Sequence, residues 1–370
     1  MTTEVYFATN RTEPKKKGGE FGNRFHSDGP HFYEVGKAEV TWKQKDIKKR
    51  DWDDFEVTYN LAKGAAPKAA TPGVELVPET TRKATEKEVT GSSKLFQELR
   101  TQMQTDQRDV LVYIHGFANS FENSIGRAAQ LKELYTIAPF KDGKAGKAYQ
   151  PYIFAFSWPS DGKVQPPWKY ASDREDAALS GIAMARALRR FVDFLNEGEP
   201  CRQRLHLVTH SMGNWALRHA VLGLRALMDE GRLPKIFENA FMMAPDEDED
   251  CFESTEKLGA LPQLANAIHV YHSRDDLALH VSDKTKGNID RLGTDGPRTF
   301  SGISNRITSV DCAEVNSTTI THGNHQYYRL RPEVLDDVRH VLSGRYQPDQ
   351  VPKRKVIEPG RRYRIPAKKA

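Results

Sequence analysis

Residues 208–215 read VTHSMGNW, where a serine stands between a histidine and a Met-Gly pair directly after an apolar run. The run predicts a strand that ends at Thr209, and a helix is predicted from Met212 onward. A turn this short forces Ser211 into a strained backbone conformation above the sheet edge, and it admits only small residues two positions away. Thr209 and Gly213 occupy those two positions. Because Thr209 replaces the first glycine of the G-x-S-x-G pattern, the stretch alone fits both a nucleophile and a serine that caps the next helix.

The segments around this turn alternate between short apolar runs and longer amphipathic ones. Such alternation predicts an α/β fold with a mostly parallel central sheet and helices on both faces. Strands are predicted over residues 109–114, 152–158, 205–209, 240–243 and 267–272, and helices over residues 93–105, 121–134, 173–196, 212–228 and 332–342.

The region before the alternating segments is predicted to belong to the same domain. Within residues 1–105, three β-prone segments predict strands at one edge of the sheet, and an irregular polar connection follows over residues 65–90. Residues 106–345 form the predicted catalytic core. The three β-prone segments are residues 5–9, 38–42 and 55–59.

The C-terminal residues 346–370 differ in composition from the rest of the chain. From Arg345 onward, nine Lys and Arg side chains and four prolines accompany only two acidic residues, Asp349 and Glu358. A segment with this much charge and so few large apolar residues predicts a flexible basic tail outside the core. A more specific hypothesis is that this basic tail makes a weak contact with a polyanion.

Composition also restricts the location of the protein. No apolar run approaches the roughly 18 residues that indicate a membrane span, and the N-terminus has no secretory signal pattern. The three cysteines, Cys201, Cys251 and Cys312, form neither a CxxC pair nor an even disulfide set. We therefore predict a cytoplasmic protein without a transmembrane segment, and nothing in the sequence indicates its oligomeric state.

A serine nucleophile needs donors for an oxyanion and a base with an orienting acid. Met212 at the start of the helix offers one backbone N–H. The segment IHGFANSF at residues 114–121 offers a second, because His115 and Gly116 allow a close approach of the backbone and place the Phe117 N–H toward the site.

The acid and the base are expected after the serine, in the order Ser, Asp, His. The segment SRDDLALHVSD follows the strand predicted to end at residue 272 and offers Asp275 and Asp276. The segment THGNHQYYRL lies before the last predicted helix and offers His322 and His325. On the residues alone, either member of each pair fits.

Two further segments follow strands at the same sheet edge. The run DEDED at residues 246–250 could bind a divalent cation or place an acid near His325, but a solvated loop is expected because neighbouring carboxylates do not converge on one ion without a shaped loop. The segment WPSDGKVQPPWKY begins at Trp158, whose ring could line the substrate pocket with His115 and Gly116 or could simply pack in the core.

Taken together, these segments resemble the α/β-hydrolase superfamily, and more narrowly the bacterial esterase/lipase-like family known as domain of unknown function 900. The resemblance implies an α/β-hydrolase fold with Ser211 as the nucleophile. It places the acid and the base on the D-x-A-L and H-x-Y-Y segments, at Asp276 and His325, and implies no particular substrate. The similar segments are VYFATNR, VLVYIHGFANSFENSIGRAAQL, FAFSWPSDG, LHLVTHSMGN, FMMAPDEDEDCF, VYHSRDDLALHVS, RLGTDGP and HQYY.

The expected function is therefore that of a serine hydrolase acting on carboxylic esters or a related acyl bond. His325 would take the Ser211 proton, Asp276 would orient the imidazole, and the Phe117 and Met212 amides would hold the oxyanion before water releases the acyl-enzyme. The expected substrate is a small-molecule or lipid-like acyl compound, and the mechanism requires no metal and no organic cofactor. The alternatives are an acyltransferase or thioesterase with the same triad, and a non-catalytic binding protein of the same fold.

Overall fold

One eleven-stranded sheet organises the computed structural model, which describes residues 2–15, 19–41, 56–61, 91–137, 149–163, 168–196, 201–280, 290–317 and 322–367. The strands are β1 (Thr2–Thr9), β2 (Glu34–Thr41), β3 (Glu56–Leu61), β4 (Val110–Ile114), β5 (Tyr152–Ser157), β6 (Leu205–His210), β7 (Phe237–Met243), β8 (Ala265–His272), β9 (Ile307–Asp311), β10 (Lys355–Glu358) and β11 (Arg362–Arg364).

The sheet is parallel except at its two edges. Its strand order is β10-β11-β9-β8-β7-β6-β4-β5-β1-β2-β3. Every neighbouring pair from β11 across to β1 is parallel, whereas β10 at one edge and β2 and β3 at the other are antiparallel to their neighbours. The prediction of an α/β fold with a mostly parallel sheet is confirmed, and the three early strands lie side by side at one edge of the sheet. Because the central strands are parallel, their carboxyl ends meet at one edge, where ligands bind in open α/β sheets.

Helices cover both faces of the sheet. The α-helices are α1 (Gly91–Asp106), α2 (Phe121–Leu134), α3 (Trp168–Leu179), α4 (Gly181–Asn196), α5 (Gly213–Leu227), α6 (Leu261–Leu264), α7 (Leu292–Asp295), α8 (Ala313–Asn316), α9 (Tyr327–Leu330) and α10 (Pro332–Ser343).

Strand β4 shows why two helical layers are needed. Its five residues are all buried, and they alternate between the two core clusters of the molecule. Val112 packs with apolar residues of α1, α4 and α5, whereas Leu111 and Tyr113 pack with those of α2 and α10. A continuous apolar run is therefore the expected sequence of a strand that is buried on both faces.

The single helix predicted over residues 173–196 is wrong, since α3 and α4 are separate helices that meet at Ser180. Ser180 Oγ donates a hydrogen bond to the carbonyl oxygen of Asp176 at 2.7 Å and accepts one from Asn10 Nδ2 at 3.0 Å. A Ser-Gly pair that bonds backwards to its own helix is a common site of a break. The connection predicted over residues 65–90 lies outside the described residues.

The tail contributes to the sheet, and the prediction that it stays outside the core is wrong for residues 355–365. Strand β11 pairs in parallel with β9, and β10 pairs with β11. Tyr363 and Ile365 are buried, and Arg354 Nε lies 2.6 Å from the carboxylate of Asp337 on α10. Several cations of the tail are thus fixed by the core.

None of the described helices has both the length and the apolar character needed to cross a membrane.

Candidate active site

Ser211 occupies the turn between β6 and α5 in a left-handed backbone conformation, with φ of 53°. Its N–H donates to Met243 O at 3.0 Å, and its carbonyl oxygen accepts from the amides of Asn214 and Asp246 at 3.0 and 3.1 Å. A non-glycine residue with positive φ is uncommon and persists only where its surroundings hold it. These three backbone hydrogen bonds fix the conformation that the sequence predicted for this turn.

The two neighbours expected to be small explain the packing of the turn. A Cβ atom on Gly213 would lie 2.6 Å from the carbonyl oxygens of both Ile114 and His115, so no side chain fits there. Thr209, which replaces the glycine of the usual pattern, is buried and donates from Oγ1 to Asn214 Oδ1 at 2.5 Å. The threonine is therefore accommodated because its hydroxyl has a partner in the first turn of α5.

The loop after β4 lies directly against the serine. A Cβ atom on Gly116 would lie 2.8 Å from Ser211 Cβ and 2.9 Å from His210 O. This close approach brings the Gly116–Phe117 peptide beside Ser211. Within the described part of the chain, neither the Phe117 N–H nor the Met212 N–H donates a hydrogen bond to the protein.

The structure joins Asp276 and His325, which follow β8 and precede α9. His325 Nδ1 lies 2.6 Å from Asp276 Oδ2. The other carboxylate oxygen of Asp276 accepts the amides of Ala278 and Leu279, both at 3.2 Å, and Asp276 is fully buried. Asp275 lies beside it, with its N–H bonded to Ser273 Oγ at 3.3 Å. His322 begins the short 3-10 segment His322–Asn324.

His325 lies next to the strand end that carries the serine. Its carbonyl oxygen is 3.2 Å from His210 Nε2, and the two imidazole rings are 4.7 Å apart. Among the described residues, Ser211 Oγ makes no hydrogen bond to His325 or to any other protein group. Catalytic hydrogen bonds in substrate-free sites are commonly long and tighten when the substrate binds.

The surroundings of His325 favour its protonated form. Burial lowers the pKa of His325, but the charge and hydrogen bond of Asp276, together with the charge of Asp246, raise the pKa above its ordinary value overall. An imidazole with a raised pKa is a stronger proton acceptor, although it acts as a base only in its neutral form.

A comparison with protein-family models gives the family. The model described as "Alpha/beta hydrolase of unknown function (DUF900)" matches residues 92–345. The chain belongs to this family. A search of curated proteins finds no match to the chain.

In this member of the α/β-hydrolase family, His115 and Trp158, the possible pocket residues, lie in the core. Both are fully buried, and their rings stack with centroids 4.8 Å apart. Trp158 Nε1 donates to His115 O at 2.8 Å. Of the two alternatives for Trp158, the structure favours packing in the core, because its ring is fully buried behind the loop. Phe117 is partly exposed and contacts Tyr170 edge to face at 5.6 Å.

The acidic run after β7 is not the solvated loop that the sequence predicted. Asp246 and Glu247 are buried. Arg218 forms ion pairs with Glu247 and Asp248, and Arg291 Nη1 lies 2.9 Å from Asp248 Oδ1. Within the described ranges, no three His, Cys, Asp or Glu side chains converge where they could hold a metal ion. The expectation failed because the balancing arginines come from distant parts of the sequence.

Proposed function

We propose that the protein is a serine hydrolase that cleaves carboxylic esters or a related acyl bond through Ser211, His325 and Asp276. One observation carries the proposal: a serine in a left-handed strand-to-helix turn lies at the same sheet edge as a histidine whose Nδ1 is bonded to a buried carboxylate at 2.6 Å. Membership of an α/β-hydrolase family is consistent with this chemistry.

The proposed reaction begins when Ser211 Oγ attacks the acyl carbon while its proton passes to His325 Nε2. Asp276 keeps the Nδ1 proton in place and stabilises the imidazolium that forms. The amides of Phe117 and Met212 donate to the oxyanion of the tetrahedral intermediate. His325 then protonates the leaving alcohol, and the same residue activates the water that releases the free acid.

Labelling with a fluorophosphonate tests the nucleophile. The wild-type protein is expected to form a covalent adduct at Ser211, and Ser211→Ala is expected to form none. Turnover of a short p-nitrophenyl ester should fall by at least about 10⁴-fold in the same variant. Ser301→Ala, at an exposed serine, is the matched control and should label like the wild type.

Two results would count against the proposal. Labelling that persists in Ser211→Ala would place the nucleophile elsewhere, and a wild-type protein that does not label would remove the catalytic assignment. Product analysis in the presence of a competing alcohol separates hydrolysis from acyl transfer, and free acid is the product expected.

A further inference from the structure

A fully buried arginine lies behind the loop that follows β4. Arg11 is inaccessible to solvent, and among the described residues no carboxylate oxygen lies within ion-pair distance of it. Its Nε donates to Ser157 Oγ at 2.9 Å, its Nη1 to Ser160 O at 3.2 Å, and its Nη2 to Asn119 O at 2.7 Å. It also donates to Asn23 Oδ1 at 3.2 Å.

These neutral partners make the position of Arg11 costly. A buried charge without an opposite charge in contact loses its hydration, and only hydrogen bonds and distant charges compensate for that loss. Burial lowers the pKa of Arg11 to about 9, against the opposing charges of carboxylates such as Glu122 and Asp173. The guanidinium is therefore still protonated at neutral pH, and it links the loop after β4 to the loop after β5.

Asn119 contacts both Arg11 and the peptide beside the serine. Its carbonyl oxygen accepts from Arg11, and its N–H donates to Ser160 Oγ at 3.2 Å. Its side-chain Nδ2 donates to Gly116 O at 3.0 Å and to Phe117 O at 2.9 Å. The side chain of Asn119 thus keeps two consecutive carbonyl groups of the loop pointing toward it.

His115 holds the same Gly116 carbonyl from another direction. Its Nδ1 lies 2.8 Å from Gly116 O, and its Nε2 accepts the Trp158 N–H at 3.1 Å, so the proton is on Nδ1. Burial and the charge of Arg11 lower the pKa of His115 to about 3, which keeps the ring neutral, and its two hydrogen bonds select this tautomer. Gly116 O is therefore held by two donors.

The direction of the Phe117 N–H follows from these contacts. In a trans peptide, the carbonyl of one residue and the N–H of the next point in opposite directions. Because Gly116 O points toward Asn119 and His115, the Phe117 N–H points away from them. The same peptide lies against Ser211, since a Cβ on Gly116 would be 2.8 Å from Ser211 Cβ.

We propose that Arg11 and Asn119 are positioning residues that lock the Gly116–Phe117 peptide with the Phe117 N–H facing the oxyanion formed at Ser211. The inference rests on the proposed function. The next residue of the loop, Ala118, has a left-handed φ of 57°, which a non-glycine residue adopts only where its surroundings hold it. A Gly116–Phe117 peptide that rotates out of this arrangement would turn the Phe117 N–H away from Ser211.

The first test is Asn119→Ala, which deletes both donors to the loop carbonyls. We expect kcat for a short p-nitrophenyl ester, and the rate of fluorophosphonate labelling, to fall by about 10–100-fold, somewhat less than the loss of an oxyanion donor outright. KM should change little, because the donor acts in the transition state. The acid limb of the pH profile should not move, since no contact of His325 is touched. Asn123→Ala, at an exposed asparagine of α2, is the matched control.

Arg11 is tested with a charged and an uncharged variant. Arg11→Met should lose kcat as Asn119→Ala does. Arg11→Lys should retain part of it, because an ammonium keeps the charge and one set of donors, but it should stay below the wild type because it cannot reach the acceptors of both loops. If Arg11→Met does not fold, Arg11→Lys and Asn119→Ala still carry the comparison.

A crystal structure of Asn119→Ala gives a result that does not depend on activity. The expected result is a rotated Gly116–Phe117 peptide, with Gly116 O displaced from its present position. An unrotated peptide, or a kcat equal to that of Asn123→Ala, would overturn the positioning role. A wild-type protein that does not react with the fluorophosphonate would instead overturn the proposed function, so the two failures are distinguishable.

Discussion

Two loops that carry carboxylates follow strands of the sheet beside Ser211. The contacts of the carboxylates differ between the two loops. In the loop after β8, Asp276 contacts His325 directly at 2.6 Å. In the loop after β7, Asp246 accepts a hydrogen bond from the Tyr170 hydroxyl and lies 3.8 Å from Arg291 Nε. Its charge nevertheless acts on His325 and helps to raise the pKa of that imidazole.

This difference shows two separate effects on His325, the orientation of its ring and the shift of its pKa. The Asp276 carboxylate fixes both the direction of the imidazole ring and the position of its proton, which only a hydrogen bond can do. Asp246 adds negative potential, and its backbone N–H holds the Ser211 carbonyl oxygen at 3.1 Å. One loop therefore supplies a proposed catalytic residue, whereas the other supports the turn and modifies the proton affinity of His325.

The largest expected effect on turnover comes from removing the carboxylate that contacts His325 directly. Asp276→Asn should lower turnover of a short p-nitrophenyl ester by about 10⁴-fold, because an amide in place of the carboxylate favours the wrong imidazole tautomer. Steady-state kinetics of the purified variant measure the loss. Asp275→Asn is the matched control, and its effect should be much smaller.

The same experiment can reverse the comparison. If Asp246→Asn were the variant that abolishes turnover, and Asp276→Asn were only mildly impaired, the acid would follow β7 rather than β8. The assignment of the two loops would then be exchanged.

The next effect is on stability, and it concerns how the loop after β7 is held. Arg218→Met removes the ion pair to the fully buried Glu247 and should cost about 3–5 kcal/mol of unfolding free energy at pH 8. Thermal or urea unfolding measures the loss. Arg225→Met, on the same helix and without a carboxylate partner in the described part of the chain, should cost far less.

The pH dependence of this loss identifies its cause. Burial raises the pKa of Glu247 to about 7, against the opposing charge of Arg218. Since the folded state holds this proton more tightly than the unfolded state, Glu247 weakens folding as the pH rises from the ordinary carboxyl range to about 7. The Arg218→Met penalty should accordingly be smaller at pH 5.5 than at pH 8. An equal penalty at both values would show that the lost packing of Arg218 on Trp215 or its lost ion pair with Asp248, and not the charge of Glu247, is responsible.

Local pattern was enough to predict the central elements, and the reason is physical. Strand β4 and the turn at Ser211 depend on residues within a few positions, since a buried parallel strand needs a continuous apolar run and a tight turn needs small neighbours. The order Ser211, Asp276, His325 could be read from the chain because each residue follows or precedes a recognisable element. The choice of Asp276 over Asp275 came from the resemblance and not from the pattern.

The tail shows what local pattern missed. Its charge suggested an arm without a place in the core, yet Pro359 and Gly360 form a turn between β10 and β11, and Arg364 Nε lies 2.9 Å from Asp311 on β9. The Pro-Gly pair between two short β-prone runs was a readable turn signal. The partner carboxylate, in contrast, lies more than fifty residues away in the sequence. The buried Arg11 was missed for the same reason, because its acceptors include residues of three separate loops.

The smallest expected effect tests whether the Asp246 side chain acts on His325 through its charge. Asp246→Asn should move the acid limb of kcat/KM to lower pH, because the charge that helps to raise the pKa of His325 is lost while the Asp276 contact remains. His210, the other titratable ring against His325, should stay neutral, since burial lowers its pKa well below the ordinary value. Turnover on the alkaline plateau should fall by less than about 10-fold, because the oriented general base is retained. The control is Asp250→Asn in the same loop, whose carboxylate pairs with Lys257 at 2.5 Å and which should leave the profile in place. An acid limb that stays in place in Asp246→Asn, or that moves to higher pH, would show that Asp246 serves the turn at Ser211 alone.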